Sequence, residues 1–154
     1  MAIQARIGKL GWMRILQTMP GVGKVLGATI WVEIGDIRRF PSAQHLARYA
    51  GLVPREQSSG GKTWRGPAPK DCHHYLKWAY VEAANTIAAR QAMWADKFVH
   101  AVTLYRRVKT TTKLAGKAKV AVGRHLAEAT WWMLTKKKDY CEPTSARVTS
   151  SNNG

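Results

Sequence analysis

The sequence predicts a mainly α-helical domain. Two observations carry that expectation. Apolar residues recur at three- to four-residue spacing in successive segments, and proline, glycine and capping residues punctuate them. A third fits it: 154 residues with 45% hydrophobic content and seven tryptophans can bury a real core. There is no internal repeat and no heptad run.

In the first segment Ile3, Ile7, Leu10, Met13 or Arg14, Ile15 and Leu16 share a helical face, weakened by Gly8 and Gly11. No start signal precedes this helix, which suggests a segment before it. Pro20 stops it, Gly21-Val22-Gly23-Lys24 forms a turn, and Val25 to Ile34 begins a second apolar helix. This junction resembles the helix-hairpin-helix motif of DNA-binding proteins. Its glycines bare backbone N–H groups at a helix N-terminus, where the dipole favours phosphate, and Lys24 adds a charge. A packing turn between two core helices is the other reading.

After a loop over 35–41, Ser42 caps a short helix, 43–50, that stops at Gly51. Leu46, Tyr49 and Ala50 are expected in the core and His45 on the surface. Asp71 is the expected N-cap of a helix running to about Arg90, with Tyr75, Leu76, Trp78, Ala79, Val81 or Glu82, Ala83 and Ile87 as its stripe. A helix over about 92–108 follows, carrying Phe98, Val99, Val102, Leu104 and Tyr105, and leaves through Arg106, Arg107, Lys109 and Lys113. The last helix opens near Ala115 and carries Val120, Val122, His125, Leu126, Ala129, Trp132 and Met133. Trp131 and Trp132 pack the core or stack on bases. Lys136, Lys137 and Lys138 suit the negative end of that helix. The domain is expected to span 1–138, with a disordered tail over 139–154.

The charge narrows the partners. Lys and Arg number 25 against nine Asp and Glu, for a net charge of +16. Such a field suits a polyanion, nucleic acid above all, and binding should fall steeply with salt. Two cysteines make no disulfide framework, and Cys72-His73-His74 has no second ligand pair at zinc-finger spacing, so no metal site is expected. No signal peptide or membrane-length apolar run is present, which makes the bacterial cytoplasm, with the nucleoid, the expected location and a membrane partner unexpected.

Between the third and fourth helices lies Gln57-Ser58-Ser59-Gly60-Gly61-Lys62-Thr63-Trp64-Arg65-Gly66. Paired glycines let a backbone pass close to a ligand. Lys62 and Arg65 bring charge that suits phosphate, and Lys70, His73, His74 and Lys77 crowd the helix to which the loop returns. On residues alone the stretch is either a phosphodiester site or a solvated hairpin or interhelix loop.

Several ordered motifs together resemble the C-terminal transposase domain of the IS110 group of bacterial insertion sequences. They are Met19-Pro20-Gly21-Val22-Gly23, Glu33-Ile34-Gly35-Asp36-Ile37-Arg38-Arg39-Phe40, Tyr49-Ala50-Gly51-Leu52-Val53-Pro54, Ser59-Gly60-Gly61-Lys62 with Arg65-Gly66 and Lys70, Tyr75-Leu76-Lys77, and the stretch from Ala118 to Leu134. The resemblance covers about residues 12–138. It implies a helix-hairpin-helix-containing helical domain with a Ser-Gly-Gly loop between helices, in which Ser59 is the nucleophile that links covalently to DNA. It also implies an N-terminal RuvC-like domain, absent from this chain, whose acidic residues hold magnesium. The further implied partners are DNA, a guide RNA and other copies of the chain in a homo-oligomer. The chain departs from the family pattern at Pro69, Asp71-Cys72 and Lys77, and contains no acidic quartet.

The expected function is therefore a DNA-binding transposase or recombinase domain acting by serine-mediated strand transfer, a truncated form that requires a RuvC-like half. Ser59 is the expected catalytic residue; Gly21, Gly23, Lys24, Gly60, Gly61, Lys62, Arg65, Lys70, His74 and Lys77 are the expected phosphate contacts. His73 or His74 would move a proton. A non-catalytic helix-hairpin-helix module for DNA or RNA is the alternative.

Overall fold

The computed structural model describes residues 11–53, 55–59, 62–66 and 73–143, of which 55–59 and 62–66 as backbone. Helix α1 is described over 11–16, followed by α2 (Lys24–Ile34), a 3-10 turn (Ile37–Arg39) and α3 (Ala43–Tyr49). An antiparallel pair, β1 (Arg55–Ser59) and β2 (Lys62–Gly66), separates α3 from α4 (His74–Ala89). Then come α5 (Gln91–Trp94), α6 (Val99–Thr112) and α7 (Ala115–Lys136). The fold is mainly helical, as the apolar spacing predicts.

Helix α7 is the centre. Its buried positions Ala118, Val122, Leu126, Thr130, Met133 and Leu134 lie beside a second row, Gly123 and Ala127. That double row is wider than one seam, so α7 packs against α6, α4 and α3 together. Small residues set the closest approaches: a Cβ on Gly123 would stand 3.3 Å from Leu52 Cδ2 and 3.6 Å from Tyr80 Cβ. Tyr80 is fully buried, and its hydroxyl donates to Thr130 Oγ1 at 2.9 Å. Thr130 in turn donates to the Leu126 carbonyl at 2.8 Å. Burial raises the Tyr80 phenol well above its ordinary pKa, with the Thr130 bond opposing it.

Helix α2 runs antiparallel to α4 and is fixed to it at both ends. At one end Gly21 sits on the Ala83 backbone; at the other Glu33 meets His73. The α3 C-terminus closes as a Schellman motif: Gly51 (φ +71°) donates to the Arg48 carbonyl at 2.9 Å and Leu52 to the Ala47 carbonyl at 3.0 Å.

The structure revises several expectations. The helix expected over 92–108 is two helices, because Phe98 turns inward to 8% exposure and packs edge-on to Trp94, with 5.6 Å between ring centroids. The α4 cap is His73, whereas Asp71 lies outside the described residues. Tyr49 and Leu104 are half-buried, while Leu46, Ala50 and Tyr105 are buried as expected. Trp132 is 51% exposed, so only Trp131 serves the core, its indole N–H donating to the Phe40 carbonyl at 2.8 Å. The tail expected to begin at Asp139 is packed through Glu142. There the Tyr140 N–H donates to Thr18 Oγ1 at 2.8 Å, and the His100 N–H to Glu142 Oε2 at 2.7 Å.

Candidate functional site

The stretch over 57–66, for which a hairpin is one expected form, pairs as two antiparallel strands. Its register pairs Arg55 with Gly66, Glu56 with Arg65, Gln57 with Trp64, Ser58 with Thr63 and Ser59 with Lys62. Ser59 is thus the last residue of β1, opposite Lys62, with Gly60 and Gly61 between them. Those two glycines lie outside the described residues, as does Lys70, and of Ser59, Lys62 and Arg65 only the backbone is described.

Described residues on either side of the hairpin are held by the helices. The chain departs through Leu52, fully buried against α7. It returns at His73, whose N–H donates to the Tyr49 carbonyl at 2.8 Å, so the last residue of α3 holds the first described residue after the hairpin. The His73 ring lies 5.5 Å from the Tyr49 ring, centroid to centroid. Its Nδ1 accepts from the Leu76 N–H at 3.4 Å, capping α4. That leaves Nε2 to carry a proton toward Glu33 Oε2, 2.7 Å away. Arg39 closes the arrangement from the other side: its guanidinium lies 5.5 Å from the Tyr49 ring and donates to the Ile34 carbonyl at 3.0 Å.

His73 is therefore tied to α2, α3 and α4 at once. His74, the first residue of α4, is exposed, and Lys77 half-exposed. His45 is on the surface, as expected, with its Nδ1 2.7 Å from Ser42 Oγ.

The Pro20–Lys24 turn is a second place. Gly21 has φ +78°, and a Cβ there would stand 2.5 Å from the Ala83 carbonyl oxygen, so packing against α4 by itself demands glycine. Gly23 differs: it is exposed, a Cβ would meet nothing within 4 Å, and it precedes α2 without any side-chain cap. Lys24 beside it is exposed. The turn borders a cleft of about 840 Å³ whose other walls include Arg90, Lys97, Asp139 and Tyr140. Ala83 is ten residues past His73, so the turn and His73 lie roughly 15 Å apart along α4. Of the expected contacts with described side chains, Lys24 lies with Gly21 and Gly23 at this turn and His74 and Lys77 at the start of α4.

Among the described residues no group of three His, Cys, Asp or Glu side chains could hold a metal ion, and no helix is long and apolar enough to cross a membrane. Sequence reasoning missed Glu33, Tyr49 and Arg39 as elements of the site. Glu33 and Arg39 belong to the motif around Gly35, and Tyr49 opens the next motif, but nothing in the spacing shows that three elements meet at His73.

Comparison with known proteins places these features in a family. Residues 13–100, which include the whole hairpin, match the sequence model described as "Transposase IS116/IS110/IS902 family". An insertion element IS116 protein of Streptomyces clavuligerus is 29% identical over 124 residues, covering 80% of this chain and 29% of that protein. The transposase for insertion sequence element IS1111A of Coxiella burnetii is 26% identical over 125 residues, covering 81% of this chain and 33% of its own length. A pilin gene-inverting protein of Moraxella bovis is 52% identical over 46 residues, 30% of this chain and 14% of that protein. The chain thus spans about a third or less of the length of these relatives.

Proposed function

The chain belongs to the IS116/IS110/IS902 transposase family, and from that premise we propose that it is the serine-bearing, DNA-binding domain of a transposase or recombinase. The observation that carries this reading is the family match over 13–100, which encloses an antiparallel hairpin whose first strand ends at Ser59. The relatives named as a transposase and as a gene-inverting protein support DNA as the substrate class, and the net charge of +16 suits it.

In the proposed step the Ser59 oxygen attacks the phosphorus of a scissile phosphodiester. A Ser59 O–P bond forms, one deoxyribose O–P bond breaks, and the serine proton leaves to a base while the departing oxygen takes up a proton. A phosphoserine link conserves the energy of the broken ester, so a second strand's hydroxyl can reverse the step and exchange strands. Lys62, Arg65 and Lys70 neutralise the phosphate oxygens, with His74 and Lys77 at the hairpin's return. Gly60 and Gly61 let the backbone approach the phosphate. Gly23 and Lys24, with Gly21 shaping the turn in helix-hairpin-helix fashion, hold the flanking backbone. A RuvC-like half would bring the acidic residues and magnesium, and a guide RNA and further copies of the chain would complete the assembly.

Ser59→Ala tests the reading. This chain, alone and fused to the N-terminal half of a full-length relative, is incubated with nicked suicide DNA and run on denaturing gels. The expected result is a covalent adduct with the fused wild type and none with Ser59→Ala, both binding DNA equally. Equal trapping by the two overturns it. Binding without any adduct favours the non-catalytic module.

A further inference from the structure

From residue 97 to residue 127 the chain holds eight of its 25 lysines and arginines and none of its nine acidic residues. The fold gathers six of these where α6 ends and α7 begins: Arg106, Arg107, Lys109, Lys113, Lys117 and Lys119. All but the half-buried Lys119 are exposed. Among the described residues none of the six forms an ion pair; the pairs present are Arg38–Asp36, His73–Glu33 and Arg124–Glu128. Six unneutralised cations at one corner repel one another, which weakens the compact state.

Two features of the corner run against stability. Lys113 ends α6 in the left-handed conformation, φ +58°, where glycine is the favoured residue. Lys117 and Lys119 lie in the first turns of α7, at the positive end of its dipole, with no acidic residue to offset them. Neither is accounted for by packing: Lys113 and Lys117 project into solvent. A bound polyanion relieves both.

We propose that the α6–α7 corner is a second nucleic-acid surface, one that grips the phosphodiester backbone of duplex DNA beside the hairpin. The choice of DNA rests on the proposed function; the surface itself does not depend on Ser59. The large exposed apolar side chain here is Leu114, with Tyr105 buried beneath Lys109, so no aromatic platform is offered for stacking bases. The contact is therefore to backbone and indifferent to sequence. Position supports it. Gly123 touches Leu52, from which the chain departs into the hairpin, and Ala115 lies eight residues earlier, about 12 Å along α7. Duplex DNA carries on the order of seven phosphates over that length.

The test compares two triple variants of equal charge, Arg107→Gln/Lys109→Gln/Lys117→Gln at the corner and Lys136→Gln/Lys137→Gln/Lys138→Gln at the far end of α7. Fluorescence anisotropy with a 20-base-pair DNA duplex and a matching RNA duplex is followed from 50 to 200 mM salt. The corner triple is expected to lower the log–log salt slope by about 2–3 and the affinity on the order of 100-fold, the distal triple far less. Lys113→Gly separates binding from folding: it is expected to raise Tm while weakening DNA binding several-fold. Equal losses from both triples would mean diffuse charge alone and overturn the proposal. So would unchanged binding by the corner triple, a loss confined to RNA, or a Lys113→Gly protein that is stabilised and binds as before. Ser59→Ala leaves the slope unchanged, so this result and the adduct assay fail separately.

Discussion

His73 Nε2 lies 2.7 Å from Glu33 Oε2, which joins the C-terminal end of α2 to the point where the hairpin returns to α4. Both side chains are about three-quarters buried, 25% and 26% exposed, so water screens the contact only partly. With the Tyr49 carbonyl on its backbone and Tyr49 beside its ring, His73 ties the start of α4 to α2 and α3 at once.

Removing that contact should loosen the hairpin before it unfolds the domain. His73→Ala also deletes the α4 cap and is expected to cost about 1–2 kcal/mol, and Glu33→Gln about 1 kcal/mol. A urea-denaturation double-mutant cycle should return a coupling near 1 kcal/mol, and hydrogen exchange should quicken at Gln57 and Trp64. Additive effects would show that the two groups do not act together.

The two glycines of the turn should behave oppositely. Gly21→Ala forces a Cβ to 2.5 Å from the Ala83 oxygen at φ +78° and is expected to cost about 2–4 kcal/mol. Gly23→Ala meets open space and should change stability by less than about 0.5 kcal/mol. If Gly23 lies against phosphate, its alanine variant weakens DNA binding with the thermal midpoint unchanged; titration of both variants with duplex DNA separates the cases.

Acid should destabilise the domain through His125. Burial, with His100 adding to it, lowers this imidazole from 6.5 to about 4. A histidine depressed in the folded state contributes stability that is complete above the unfolded value. The loss then accumulates as pH falls from about 6.5 to about 4, up to about 3 kcal/mol. The ring partner is Tyr140, whose hydroxyl lies 3.0 Å from His125 Nε2 and donates to Glu142 Oε1 at 3.0 Å. His125→Gln should flatten the slope of unfolding free energy against pH across that window. A slope identical to wild type would assign the acid sensitivity elsewhere.

Tyr80→Phe deletes the hydroxyl that donates to Thr130, and should cost about 1 kcal/mol with the fold intact. Thr130 keeps its own bond to Leu126. Thermal melts of Tyr80→Phe and Thr130→Val should give similar losses, and the double variant less than their sum.

Local spacing, local backbone preference and summed charge already fix the helical class, the turn at Pro20, the Ser42 cap, the halt at Gly51 and the positive field, but not the break at Phe98 that divides the helix expected over 92–108. The family motifs likewise singled out Ser59 without any coordinates. Tertiary structure alone decided that the Ser-Gly-Gly stretch pairs as strands, since cross-strand pairing depends on where both legs are held. It also separated Gly21, required by the Ala83 backbone, from Gly23, which faces open space. And it placed Glu33, Tyr49 and Arg39 around His73, three residues from separate elements whose meeting no local period encodes.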